Sequence, residues 1–223
     1  MLAIPNYPLR INRYLAWKKY ATRRGADKLI ETGLVSVNGR AAVIGEKIKE
    51  SDHVEVRQTH RPKIYTYLVY HKPFGTIAGS PVPGLFPIGR LDKNSSGLLL
   101  LTDDGRITDR LLNPKHAHDK EYIVTVREPL RSNFTRQMSA GVFIDNYITR
   151  SCQVEIINDH TFRIILTEGQ KHQIRRMCAT LHIAVEDLKR IRIMNIRLGH
   201  LTAGSYRPLL PTELATFLKS LGL

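Results

Sequence analysis

Apolar runs in this 223-residue sequence stop at about four residues, as in Leu98 to Leu101, far below the roughly 20 that a membrane helix requires. No membrane span and no membrane partner is expected. Cysteine is scarce: Cys152 and Cys178 are the only two, without metal-site spacing, and read as small buried hydrophobes rather than a disulfide framework. CxxC and HExxH pairs are absent, and His116, His118 and His172 do not replace them, which argues against a metal centre. Glycine-rich phosphate loops of the GxGxxG or GxxxxGK type are missing too, so nucleotide-driven chemistry is set aside. The opening MLAIPNYPLR lacks the basic start, apolar stretch and small-residue cleavage site of a secretory leader, and the expected location is the cytoplasm.

Acidic residues are the remaining shortage, with 20 against 34 basic ones and a formal charge of +14. Such a surplus attracts polyanions, of which nucleic acid is the commonest. Hydrophobic content of 42% with 24% charged residues is ordinary for a folded chain, and the length admits one domain or two.

Residues 9 to 32 read as two short helices, with Ile11, Leu15, Leu29 and Ile30 able to face a core and Gly33 placed as a stop. Their other faces are basic. Arg10, Arg13, Lys18, Lys19, Arg23, Arg24 and Lys28 stand against the single acid Asp27, a pattern that is either a solvated surface or a polyanion-binding face. Leu34 to Val37 alternates as a strand into Asn38-Gly39, the dipeptide suited to a tight hairpin, and His53 to Val56 closes the unit. RQTHRPK at 57 to 63 suits a linker. Beyond it, strands are expected at 64–70, 98–102, 121–126 and, as a paired meander, 154–157 with 162–167. Helices are expected near 105–112, 131–140, 171–182 and after Pro211.

Asp92 lies in a turn-rich stretch, Phe86 to Gly97, that leads into the most apolar of these strands. An aspartate in a loop more often makes an Asx turn than does chemistry. Its setting is GRLDKNSSGLLLLTDDG at 89 to 105, followed in order by DKEYIVTV at 119 to 126 and EGQKHQIRRM at 168 to 177. These stretches closely resemble the motifs of the RsuA/RluB/RluE/RluF family of pseudouridine synthases. INRYLAWKKYATRRGADKLIETGLVSVNGRAAVIGEKIKESDHVEV at 11 to 56 resembles the S4 RNA-binding domain. MSAGV at 138 to 142 and RIRIMNIRLG ending at Gly199 look most like the RluF branch, which acts on large-subunit ribosomal RNA.

The resemblance implies an α+β fold: a small S4-like αα-β RNA-binding domain over 1–58, then a catalytic domain over 59–223 with a central, mostly antiparallel mixed sheet flanked by helices. It implies an RNA partner, a stem-loop of large-subunit rRNA, and a monomeric isomerase without cofactor. Pseudouridine formation breaks the N-glycosidic bond of uridine, turns the base and rejoins it through C5, so product and substrate share every atom. Asp92 falls on the family's catalytic aspartate, acting as nucleophile or as base at the ribose. In an apolar pocket that carboxylate needs a neighbouring cation, and Arg175 matches the arginine that pairs with it. Tyr122 matches the active-site tyrosine, whose ring stacks on the base and whose hydroxyl assists removal of the C5 proton. Ile174, or Leu91, supplies an apolar wall. Arg90 and Lys120 are assigned to substrate, as are Lys72 and Lys93, because a target base must be drawn from its stack and phosphate contacts compensate that cost. Arg176 is expected to meet phosphate or solvent. Asp103-Asp104 reads as a turn and helix cap rather than a second carboxylate for Asp92.

Two departures from the family pattern stand out. Gly25 occupies a position where relatives carry a helix-favouring residue, which is expected to loosen the second helix. The connection from Thr76 to Leu85 is only ten residues, shorter than in relatives, where it lies beside the RNA cleft. The competing function is a non-catalytic RNA-binding or ribosome-assembly factor, which has no need of Asp92, Tyr122 and Arg175 together.

Overall fold

The computed structural model describes residues 7–18, 20–57 and 64–223, which divide into two compact units between Ile64 and Tyr65. Lys19 and residues 58–63 of the expected linker lie outside the described residues.

In the first unit, helices α1 (Ile11–Trp17) and α2 (Arg23–Glu31) accompany an antiparallel sheet of β1 (Val35–Val37), β2 (Arg40–Ala41) and β3 (Val54–Val56). Ile11 and Leu15, Ala26 and Ile30, and Val35 and Val37 form one core, as four-residue spacing in helices and alternation in a strand require. Asn38 and Gly39 turn the hairpin with φ of 51° and 81°. Gly25 does not loosen α2. Thr22 Oγ1 accepts its N–H at 3.2 Å, and a Cβ at Gly25 would lie 3.2 Å from that oxygen, so the glycine leaves room for an N-cap.

The second unit is built on β4 (Tyr67–Lys72), β5 (Ser96–Thr102), α3 (Arg106–Leu112), β6 (Lys120–Val126), α4 (Phe134–Ser139), β7 (Gln153–Asn158), β8 (Thr161–Leu166), α5 (Gln173–Thr180), β9 (Val185–Ile193), β10 (Tyr206–Pro208) and α6 (Pro211–Ser220). Its sheet runs in the order β7–β8–β6–β9–β5–β4–β10. Neighbours are antiparallel except β9 and β5, which are parallel. One core gathers Val69, Leu98, Leu100, Ile107 and Phe217. Another gathers Val124, Phe134, Phe162, Ile164 and Met177. Each such side chain contributes about 1.5–3 kcal/mol when fully buried. The short 76–85 connection packs Ala78, Val82 and Leu85 onto Leu68, Tyr70, Leu99 and Leu101, and no helix among the described residues is long and apolar enough to cross a membrane.

The fold is thus α+β with a mostly antiparallel mixed sheet, as the sequence implied, but its central strand was not foreseen. VEDLKRIRI in β9 carries five charged residues in nine, and those charges mask the inward positions Leu188, Arg190 and Ile193, all buried. Strand β10 was likewise not expected. Gly97 allows the parallel junction: at its φ of +107°, a Cβ would come within 2.2 Å of the Arg190 carbonyl oxygen.

Asp104 is fully buried just after β5. Its carboxylate accepts two hydrogen bonds from the Arg106 guanidinium at 2.8 Å, the Arg106 N–H at 3.0 Å, and the Tyr67 hydroxyl. Burial opposes its charge, but the donors of Arg106 and Tyr67 outweigh burial and hold its carboxyl below the ordinary value. A folded value below the unfolded one contributes stability that is complete above about pH 4 and is lost as pH falls through the folded value. Asp104→Ala is expected to cost about 3 kcal/mol at pH 7. Urea unfolding at stepped pH should also show the variant losing less stability on acidification than the wild type does.

Candidate active site

The loop between Ile88 and Ser96 opens on a cavity of about 500 Å³ in the second unit. Asp92, Arg90, Leu91, Lys120, Tyr122 and Ile174 all line it. Residues up to 84 positions apart are thereby brought to one place, because β5 and β6 flank β9 and α5 begins above them. Leu91 and Ile174 are buried and form apolar wall, whereas Arg90 and Lys93 are exposed. Tyr122 sits on β6 directly opposite Arg190 on β9, a residue that also lines the cavity and to which the sequence assigned nothing. Burial pushes the Lys120 ammonium down from its ordinary value, and the charge of Arg190 acts in the same direction. Two cations therefore stand at the same wall.

The expected ion pair between Asp92 and Arg175 is not formed. The Arg175 guanidinium donates instead to the carbonyl of Asn94 and, at 3.0 Å, to that of Val185, and Arg175 is not among the cavity-lining residues. It reaches the aspartate's loop rather than the aspartate, ending on the backbone carbonyl two residues beyond Asp92. Among the described residues, the side chain that faces the Asp92 carboxylate is His172, with Nε2 3.4 Å from Oδ1 and the two side chains 47% and 40% exposed. Sequence reasoning had considered His172 only as a metal ligand. No group of three or more His, Cys, Asp or Glu among the described residues is arranged to hold a metal ion.

Lys72 is also corrected. Rather than a surface phosphate contact, it is a fully buried residue of β4. Its Nζ donates to the carbonyls of Pro73 at 2.9 Å, Ser95 at 2.7 Å and Lys93 at 3.4 Å. Burial pushes its ammonium down from the ordinary value and the charge of Asp92 pulls it back up. Arg190, 4% exposed, donates from Nε to the carbonyl of Leu98 at 2.8 Å and from Nη1 to that of Arg90 at 3.5 Å. Lys72, Arg175 and Arg190 thus hold the 90–98 segment by its backbone from three elements. Gly75, just before the short connection, joins it as well, its N–H donating to the Lys93 carbonyl at 2.9 Å. Arg176, expected to meet phosphate or solvent, is ion-paired with Asp145 at 2.5 Å.

On the first unit, Arg10, Arg13, Lys18, Arg23, Arg24 and Lys28 are all exposed. Lys18 lies over the Trp17 ring, 4.9 Å from its centroid. Cys152 and Cys178 are free, and burial pushes the Cys178 thiol up to about 12.

Comparison with known proteins points one way. Residues 66–180 match the model of the RNA pseudouridylate synthase family. The chain is 37% identical to the dual-specificity RNA pseudouridine synthase RluF of Escherichia coli K12, across 97% of this chain and 80% of that protein. It is 32% identical to ribosomal small subunit pseudouridine synthase A of Pasteurella multocida, across 95% and 100%. A crystal structure of a pseudouridylate synthase superposes with a TM-score of 0.69 at 29% identity, covering 96% of this chain and 99% of the other.

Removing one of the buried cations tests how the loop is held. Lys72→Met keeps the volume and deletes three charge-assisted hydrogen bonds. The variant is expected to lose about 2 kcal/mol in urea unfolding, and the amides of residues 93–97 should exchange with deuterium faster than those of the β4 interior.

Proposed function

Because the chain belongs to the RNA pseudouridylate synthase family, in its RsuA/RluF group, we propose that it isomerises one uridine of ribosomal RNA, in a stem-loop of the large subunit, with Asp92 as the catalytic carboxylate. The observation that carries this reading is the convergence of Asp92, Tyr122, Ile174, Arg90 and Lys120 on one cavity. The RluF-like segments around Met138 and Asn195, and the greater identity to RluF than to the small-subunit enzyme, favour the large subunit.

In this reading the basic face of the first unit, an S4-like RNA-binding domain over 1–58, binds the RNA backbone through Arg10, Arg13, Lys18, Lys19, Arg23, Arg24 and Lys28. The target uridine is drawn from its stack, at a cost of a few kcal/mol, into the cavity of the catalytic domain over 59–223. Arg90 at the rim and Lys120 on the wall hold its phosphate or sugar. The Tyr122 ring stacks on uracil, and Leu91 and Ile174 keep water from the detached base. Asp92 attacks C1′ or takes a proton from the ribose, the N-glycosidic bond breaks, the uracil turns, and C5 bonds to C1′. No cofactor enters, since no atom is added or removed. Arg175 acts by anchoring the loop at Asn94 and by its charge, not as a direct partner of Asp92. The enzyme works as a monomer in the cytoplasm, where its RNA is.

Carbodiimide mapping of pseudouridine on ribosomal RNA transcripts tests the assignment. Wild type should mark one large-subunit uridine, and Asp92→Asn should lose activity about 10⁴-fold or more while RNA affinity persists. Equal product from both proteins would remove Asp92 from the chemistry. Reversing Arg23, Arg24 and Lys28 to Glu should weaken RNA binding at least about tenfold and flatten the plot of log affinity against log salt by about 2–3, measured by filter binding.

A further inference from the structure

Arg190 carries a hydrogen-bonding atom that the fold does not use. Its Nε and Nη1 reach the carbonyls of Leu98 and Arg90, but its Nη2 is buried without a hydrogen-bond partner among the described residues. The hydroxyl of Ser95, 1% exposed, is buried and unpartnered in the same sense. Both residues line the cavity that holds Asp92 and Tyr122. A buried donor left unpaired is costly, and more so on a cation. Two such atoms on residues of one cavity wall point to an acceptor that arrives with the ligand.

The sheet places Arg190 beside the target base. Tyr122 on β6 lies opposite Arg190 on β9, and residues paired directly across two strands share a face of the sheet. Lys120, two residues before Tyr122, is on that face as well and lines the cavity. On the reading proposed above, the ring that stacks on Tyr122 is uracil, whose two carbonyl oxygens are its acceptors. Phosphate suits the position less well, since it would have to shed its hydration to meet a residue 4% exposed, whereas Arg90 offers an exposed guanidinium on the same cavity.

The reaction gives those oxygens a changing charge. Whether Asp92 attacks C1′ or takes a ribose proton, the electron pair of the C1′–N1 bond leaves with N1, and the negative charge spreads onto O2 and O4. The ring keeps that charge until C5 donates a pair to C1′. Donors fixed where charge develops stabilise the transition state more than the ground state.

We propose that Arg190 Nη2 and Ser95 Oγ hydrogen-bond one carbonyl oxygen of the target uracil and stabilise the negative charge that the ring carries while it is detached. Two nitrogens of the guanidinium fix the loop of Asp92, and the third serves the base. The positive charge of Lys120, on the same face, acts in the same direction.

The test is single-turnover conversion of ribosomal RNA transcripts with uridine, 2-thiouridine or 4-thiouridine at the target, read by chromatography of the digested nucleosides. Sulfur accepts hydrogen bonds more weakly than oxygen, and its effect on the departing ring itself is common to every enzyme compared, so it cancels between them. On uridine, Arg190→Met should be slower than wild type by about 10²- to 10³-fold and Ser95→Ala by about tenfold, with RNA affinity retained. At one of the two sulfur positions the advantage of wild type over each variant should shrink severalfold, while at the other it stays as on uridine. A residue that only holds the loop would give the same loss on all three substrates. That result for Arg190→Met overturns the proposal. If Arg190→Met does not fold, the Ser95→Ala series decides, and an equal loss on all three substrates overturns it there. A wild type that converts no uridine would instead strike down the underlying reading.

Discussion

The position of Asp92 depends on buried cations whose hydrogen bonds end on backbone carbonyls. A charge taken out of water without a counter-ion is costly, and Lys72 and Arg190 offset that cost with carbonyl dipoles from the very segment that carries the aspartate. Arg175, only partly buried, adds a hydrogen bond to the Asn94 carbonyl from α5. The consequence is chemical as well as mechanical. Positive charge is fixed near the carboxylate, yet none of these cations is hydrogen-bonded to the carboxylate oxygens.

The sheet determines where such a loop can be held. The junction of β9 with β5 is parallel and falls at the very start of β5, where Lys189 and Arg190 pair with Ser96 and Gly97, so the segment that carries Asp92 enters the sheet beside Arg190. Gly97 admits the β9 backbone too closely for any side chain, and Arg190, one strand over, thereby reaches both ends of the approaching segment. The apolar run that follows then locks β5 on both faces, against Val69 and Ile107 on one and against Tyr70 and Val82 on the other.

Much of this was legible in the sequence. Asp92, Tyr122, Ile174, Arg90 and Lys120 were singled out on motifs far apart in the chain, and they share one cavity. The two-helix and hairpin order of the first unit follows from spacing and from Asn38-Gly39. What was not legible concerns the destination of charged side chains. Lys72 resembles any surface lysine until three carbonyls are found around it. Strand β9 is too charged to look central, although Arg190 is buried precisely where its charge is used as a loop anchor. The Arg175 pairing failed for the same reason: a motif names a cation but not which acceptor lies nearer, and the carbonyl of Asn94 is nearer than the carboxylate.

The surplus of basic residues accordingly divides by burial into groups that differ in kind. The exposed arginines and lysines of the first unit are hydrated and exchange counter-ions with solvent, so they can release those ions on meeting phosphate and give binding its salt dependence. Lys72 and Arg190 have no such atmosphere to release, because both are buried and turned toward backbone carbonyls. They add to the long-range field that draws a polyanion in, but nothing to the count of phosphates neutralised. The formal charge of +14 therefore overstates the number of contacts with RNA, and part of it is better understood as the structural support of a single aspartate.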